Sequence, residues 1–125
     1  MVKTVVSTIV VAVILFFGVL MEGVYIKNEF VELNSNFCVL YEKVEEKSAN
    51  KEDVLAVQQN WLKKKKSLHA FIPHTEIKEV DLWLSEAVTL VEKEMWEDAL
   101  SKIEVLIELS EQIPKTFKVT LENIF

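Results

Sequence analysis

The sequence predicts an all-α protein: an N-terminal transmembrane helix continuous with a long stalk helix, followed by a small antiparallel helical bundle of three to four helices. Three observations predict it. Residues 5–21 read VVSTIVVAVILFFGVLM, seventeen residues without a charge. Downstream, apolar residues recur at steps of three and four, the spacing that gathers them on one face of a helix. Glycine occurs only at Gly18 and Gly23. Its absence thereafter excludes Gly-rich phosphate loops, glycine hairpins and nucleophile elbows.

The uncharged run spans ~26 Å as a helix, against a hydrocarbon core of ~30 Å. Val24, Tyr25 and Ile26 extend its apolar character past Glu22, and tyrosine suits the headgroup zone. A cleaved signal peptide is the rival reading, because Lys3 precedes the run as a positive n-region does. The length of the run and the lack of an A-x-A pattern in GVLMEGVYI favour an uncleaved anchor, and no cysteine follows closely enough for a lipoprotein signal. A short tail, residues 1–4, thus leads into a transmembrane anchor at 5–26, a helical bundle domain at 27–114 and a C-terminal tail at 115–125. The lysine in the tail favours an N-terminus inside the cell membrane and a helical domain outside it.

In the stalk, Ile26, Phe30, Leu33, Phe37, Leu40 and Val44 form a heptad seam that joins the anchor without a breaker. One rod ending near Lys47 follows. Asn50 is placed to cap the second helix, with Glu52 and Asp53 in its positive first turn. That helix carries Val54, Val57, Trp61, Leu68 and Ile72, and Pro73 ends it or bends it into the next. Thr75 is a candidate cap for a third helix with the stripe Ile77, Val80, Leu84, Ala87 and Val91. A charged corner at Lys93-Glu94 leads to a fourth helix bearing Trp96, Ala99, Ile103, Leu106 and Ile113, which Pro114 is expected to stop. Short connections make successive helices antiparallel neighbours. The corner FIPHT and the end LENIF therefore converge near the anchor, and that end is the expected partner contact: Phe71, Ile72, His74, Glu76, Asn123, Ile124 and Phe125.

From Glu22 onward thirteen lysines face twenty acids, a net charge of −7, and the chain has no arginine. A nucleic-acid binder needs a positive surface and draws most bidentate base contacts from arginine, so that role is excluded. Lys63, Lys64, Lys65 and Lys66 are the one dense positive feature. Four consecutive helical residues fan over about 300°, so they do not share one surface. Lys65 falls where the seam through Trp61 and Leu68 wants an apolar residue, so its stem is expected to cover that surface. Glu29, Glu32, Glu79, Asp81 and Glu86 are available to pair with the run, which reads first as a solvated, ion-paired helix face. Contact with an anionic ligand or polymer is the alternative, at a height of ~15 Å above the bilayer.

His69 and His74 stand five apart across a proline, not at the i,i+4 spacing of a helical metal pair, and no third ligand is evident; no metal and no cofactor are expected. A helix-capping role suits a histidine in that loop better. Trp61 and Trp96 fall on seams and read as core, while Trp83 lies beside its seam. Cys38 reads as a small apolar residue. With no nucleophile–base–acid arrangement there is no catalytic site, and the chain reads as no enzyme.

The order of these pieces is familiar. The anchor, a tryptophan before a basic run, Phe71-Ile-x-His74-x-Glu76-Ile77, Trp96-Glu97-x-Ala99-Leu100 and a closing Asn123-Ile124-Phe125 resemble uncharacterised domain-of-unknown-function family 4363, small single-pass membrane proteins of low-GC Gram-positive bacteria. Pro73 departs from that pattern. The resemblance implies no activity, and as partner it implies a multi-pass membrane protein of the YetF-like type. The expected function is thus a non-enzymatic membrane-anchored helical accessory protein, with a homo-oligomer through the stalk heptad as a further alternative.

Overall fold

The computed structural model describes the backbone of residues 1–124 and the side chains of residues 1–117. Four helices follow one another: α1 (Val2–Glu45), α2 (Lys51–Leu68), α3 (His74–Glu92) and α4 (Trp96–Ile124). α1 is unbroken, as the seam and the missing breaker predict. Its first half holds an uncharged stretch with mean hydropathy 2.7, long and apolar enough to cross a membrane, and none of that stretch is buried. Its second half is core: Ile26, Phe30, Leu33, Phe37, Leu40 and Val44 are all shielded from solvent.

The helices close a ring, α1 on α2, α2 on α3, α3 on α4 and α4 back on α1, with the α1–α4 and α3–α4 seams the most extensive. This is the up-down-up-down bundle that short connections favour. Cross-helix bonds fix the register. Tyr25 Oη donates to Ser67 Oγ at 2.7 Å, Asn36 Nδ2 to Asn60 Oδ1 at 3.0 Å, and Lys43 Nζ reaches Asp53 Oδ1 at 3.0 Å. On the other flank, Tyr41 Oη donates to Glu104 Oε1 at 3.0 Å and Asn34 Nδ2 to Ser110 Oγ at 2.9 Å. Trp61, Leu68, Ile77, Val80, Leu84, Ala87, Val91, Ala99, Ile103 and Leu106 complete one core. Each large apolar side chain so buried contributes about 1.5–3 kcal/mol.

The corners show how the elements stop. Asn50 caps α2 in a full capping box: its side chain accepts from the Asp53 amide while Asp53 accepts from the Asn50 amide. Hydrogen bonding from the Asn50 backbone, then from Lys43, holds the Asp53 carboxyl below its ordinary pKa. α1 and α3 both end in Schellman motifs. Ser48 N–H reaches the Lys43 carbonyl and Met95 N–H the Leu90 carbonyl, around Lys47 and Glu94 with φ of 58° and 56°. These two residues take the left-handed place that glycine fills in most such turns.

Three expectations change. α2 stops at Leu68, short of Ile72 and Pro73, and Phe71 and Ile72 bond back to the Leu68 carbonyl; of the two readings left open at Pro73, separate helices is the one found. Pro73, not Thr75, is the N-cap residue of α3, without a side-chain cap, and His74 is its first helical residue. α4 is not stopped by Pro114 but runs through it to Ile124. The proline removes one backbone donor, yet Ile113 before it is buried and Phe117 after it packs on the core, so burial on both sides carries the helix across.

Candidate functional site

The end of the bundle beside the apolar run is built from the α2–α3 corner and the C-terminal part of α4. The Tyr25–Ser67 bond sets the corner level with the foot of the buried half of α1. Phe71 is half-buried against the core and Ile72 is buried, 4% exposed. Pro73 and His74 are exposed and Glu76 is half-buried. The surface of the corner is thus offered by His74 and the edge of Phe71, while Ile72 anchors it from within. The His74 ring lies 5.5 Å from that of His69, centroid to centroid, tilted by 59°. No group of three or more potential metal ligands is found among the described residues.

The α1–α4 register, read from Tyr41–Glu104 and Asn34–Ser110, carries the helical backbone of 118–124 down beside the start of the bundle and toward the apolar run. The side chains of Asn123 and Ile124, and Phe125 altogether, lie outside the described residues.

The lysine run separates into two halves. Lys64, not Lys65, is the buried member, with its side chain 6% exposed and its ammonium 3.1 Å from both Glu29 and Glu32 of α1. That ammonium, through its hydrogen bond and then its charge, lowers the pKa of the Glu32 carboxyl. Lys65 turns the other way, with Nζ 2.7 Å from Asp81 of α3. Asp81 also accepts from Trp61 Nε1 at 2.7 Å, so one carboxylate ties a core indole and a lysine across the α2–α3 seam. Lys63 and Lys66 are exposed and, with the half-buried Lys65, line a shallow groove on the outer face of α2 together with Gln59, Leu62, His69 and Ala70. Of the expected acids, Glu29, Glu32 and Asp81 pair with the run. Glu86 instead meets Lys102 at 3.3 Å, and Glu79 accepts from Trp83 Nε1 at 2.9 Å.

Trp61 and Leu68 alone admit either Lys64 or Lys65 on their stripe; Val57, seven residues before Lys64, is the sequence signal that selects Lys64. The other tryptophans are half-buried, with Lys102 Nζ over the Trp83 ring at 4.7 Å. Cys38 is half-buried too, with Sγ 3.7 Å from Asn34 Oδ1.

The pattern of a domain of unknown function, DUF4363, matches residues 23–124. The chain belongs to that family. The DUF4363 match takes in the α2–α3 corner, the C-terminal part of α4 and the whole bundle core, and begins just after the uncharged run. No curated protein matches the chain, and no solved structure does.

Proposed function

We propose that this DUF4363 protein is a non-enzymatic, single-pass accessory protein of the cell membrane, with its N-terminus inside and its helical bundle outside, that partners another membrane protein. The observation that carries this reading is the division of α1. One half fills the core of the bundle, while the other leaves residues 1–18 exposed in succession, among them Ile9, Ile14, Phe16 and Phe17 at more than half exposure, with none of them buried against another described residue. A bilayer is the medium that such a helix requires, since all its backbone bonds are internal. Lys3 before the run supports the inward N-terminus.

The partner contact lies at the anchor end, through the exposed part of the α2–α3 corner and the last turns of α4. The family resemblance points to a multi-pass membrane protein of the YetF-like type in a low-GC Gram-positive bacterium. Truncation after Thr120, or His74→Ala, is expected to reduce co-purification of that partner from native membranes several-fold. Equal recovery by the full-length and altered chains would sink the proposed contact.

A second reading is favoured by the outward lysines. Lys63 and Lys66 stand beside His69 in the α2 groove, which Lys65 also lines while paired with Asp81, so an extracytoplasmic anionic ligand or polymer would meet Lys63 and Lys66 first, with Lys64 held by α1. Salt-dependent binding abolished by Lys63→Gln with Lys66→Gln would favour this reading over the first.

A further inference from the structure

The stalk seam from Ile26 to Val44 is consumed by the bundle core, so it is not available to join two copies. The opposite face of α1 is. α2 takes the flank of α1 that bears Glu29, Glu32 and Asn36, and α4 takes the flank with Asn34 and Tyr41. Between those flanks, away from the core, run Val24, Asn28, Val31 and Ser35, all exposed, with Val39 at the top. Val24 and Val31 are 57% and 60% exposed. This stripe carries no charge, whereas the outer face of α4 carries Glu104, Glu108 and Glu111, and that of α2 carries Lys63 and Lys66. Its steps of four, three and four are those of a heptad, and continuing them downward by three and four reaches Met21 and Phe17 in the apolar run. A single seam therefore passes from the apolar half of α1 into the bundle half without a break.

We propose that two copies of the chain associate in parallel through this outer face of α1. The proposal rests on the membrane-anchored reading, because two copies inserted with the same orientation in one bilayer present the stripe in parallel and in register. Three features of the stripe fit that occupant. Asn28 takes a position where a lone asparagine in a two-stranded coil pairs with its own copy and fixes the register. Lys27 and Glu32 occupy the flanking positions five residues apart that face each other across a parallel seam. Lys27 is exposed and has no ion-pair partner among the described residues; Glu32 keeps 57% of its side chain exposed while bonding Lys64. The lysine of each copy thus meets the glutamate of the other at both edges. Because α2 and α4 sit to the sides of α1, both bundles lie outside the seam and leave it open.

The test is disulfide crosslinking of the full chain in native membranes, in a Cys38→Ser background. Val24→Cys, Val31→Cys and Ser35→Cys are expected to form at least tenfold more dimer than Leu62→Cys and Leu82→Cys, which are exposed on other helices. Lys27→Glu should cut the Val31→Cys crosslink several-fold, whereas Lys27→Arg should leave it unchanged. Equal crosslinking at all five positions, or no effect of the Lys27→Glu charge reversal, overturns the proposal. Alkaline carbonate extraction of the same membranes separates the failures. A chain that stays in the membrane yet gives no Val24, Val31 or Ser35 dimer refutes the dimer alone; one that is released refutes the anchor, and the dimer with it.

Discussion

A lysine that reaches water from a helix surface is replaced at little cost, but one whose ammonium lies between two carboxylates beneath neighbouring helices is not. Lys63 and Lys66 are of the first kind and Lys64 is of the second. Lys64→Ala removes the cation from Glu29 and Glu32, which then face each other one turn apart on α1, and it opens space beside Trp61. Breaking a fully buried pair costs about 3–5 kcal/mol; with Glu32 more than half exposed, water screens part of the loss, and ~2 kcal/mol is the expected destabilisation. Lys63→Ala and Lys66→Ala should stay within about 0.5 kcal/mol of the parent. Denaturant unfolding of the full chain in detergent, followed by tryptophan fluorescence, measures all three. A Lys64→Ala chain as stable as the other two would contradict the buried triad. The sequence makes this distinction visible in the seven-residue step from Val57 to Lys64. The identity of the carboxylates that answer it depends on how α1 and α2 are rotated against each other, which the pattern along one helix does not record.

At the scale of the element, the unusual feature is that α1 and α3 end on left-handed residues with side chains. A β-carbon in that conformation costs about 1–2 kcal/mol, and both turns keep it because the Schellman bonds to the Lys43 and Leu90 carbonyls close the corner. Glycine at such a site removes the strain while adding about 0.5–1 kcal/mol of unfolded-state entropy. Glu94→Gly is therefore expected to stabilise the bundle by about 0.5–1 kcal/mol, seen as a higher thermal midpoint by circular dichroism. A lower midpoint would mean that the Glu94 side chain contributes more than its backbone strain costs. The glycine-poor sequence discloses the helices but hides these turns, since the usual signal for them is the missing glycine. The Asn50 cap, by contrast, was plain because asparagine followed three residues later by an acid states its own geometry. Pro114 misled for the opposite reason: its local penalty of ~3 kcal/mol is visible in the sequence, whereas the packing of Ile113 and Phe117 that outweighs it is a property of the assembled bundle.

At the scale of the whole molecule, the up-and-down order of helices follows from short corners and four apolar stripes. The strong α1–α4 seam does not, because it depends on side-chain fit and on the Asn34–Ser110 pair, distant in the chain. The division of α1 leads to a separate expectation. No buried residue precedes Ile26, and the cross-helix side-chain bonds begin at Tyr25. Among the described residues the core therefore starts at Ile26, and a chain starting at Gly23 retains every described buried side chain of the bundle. Freed of its apolar run, it should be soluble, fully helical by circular dichroism, and unfold in one cooperative step within a few degrees of the full chain. The proposed α1 dimer should weaken at the same time. Anchoring confines two copies to one plane and raises their effective concentration, and in solution the short stripe from Val24 to Val39 has to act alone. Sedimentation of the shortened chain at low micromolar concentration should accordingly show a monomer. Aggregation, or loss of the cooperative step, would show instead that the first half of α1 packs against the bundle, and the division of labour along that helix would have to be abandoned.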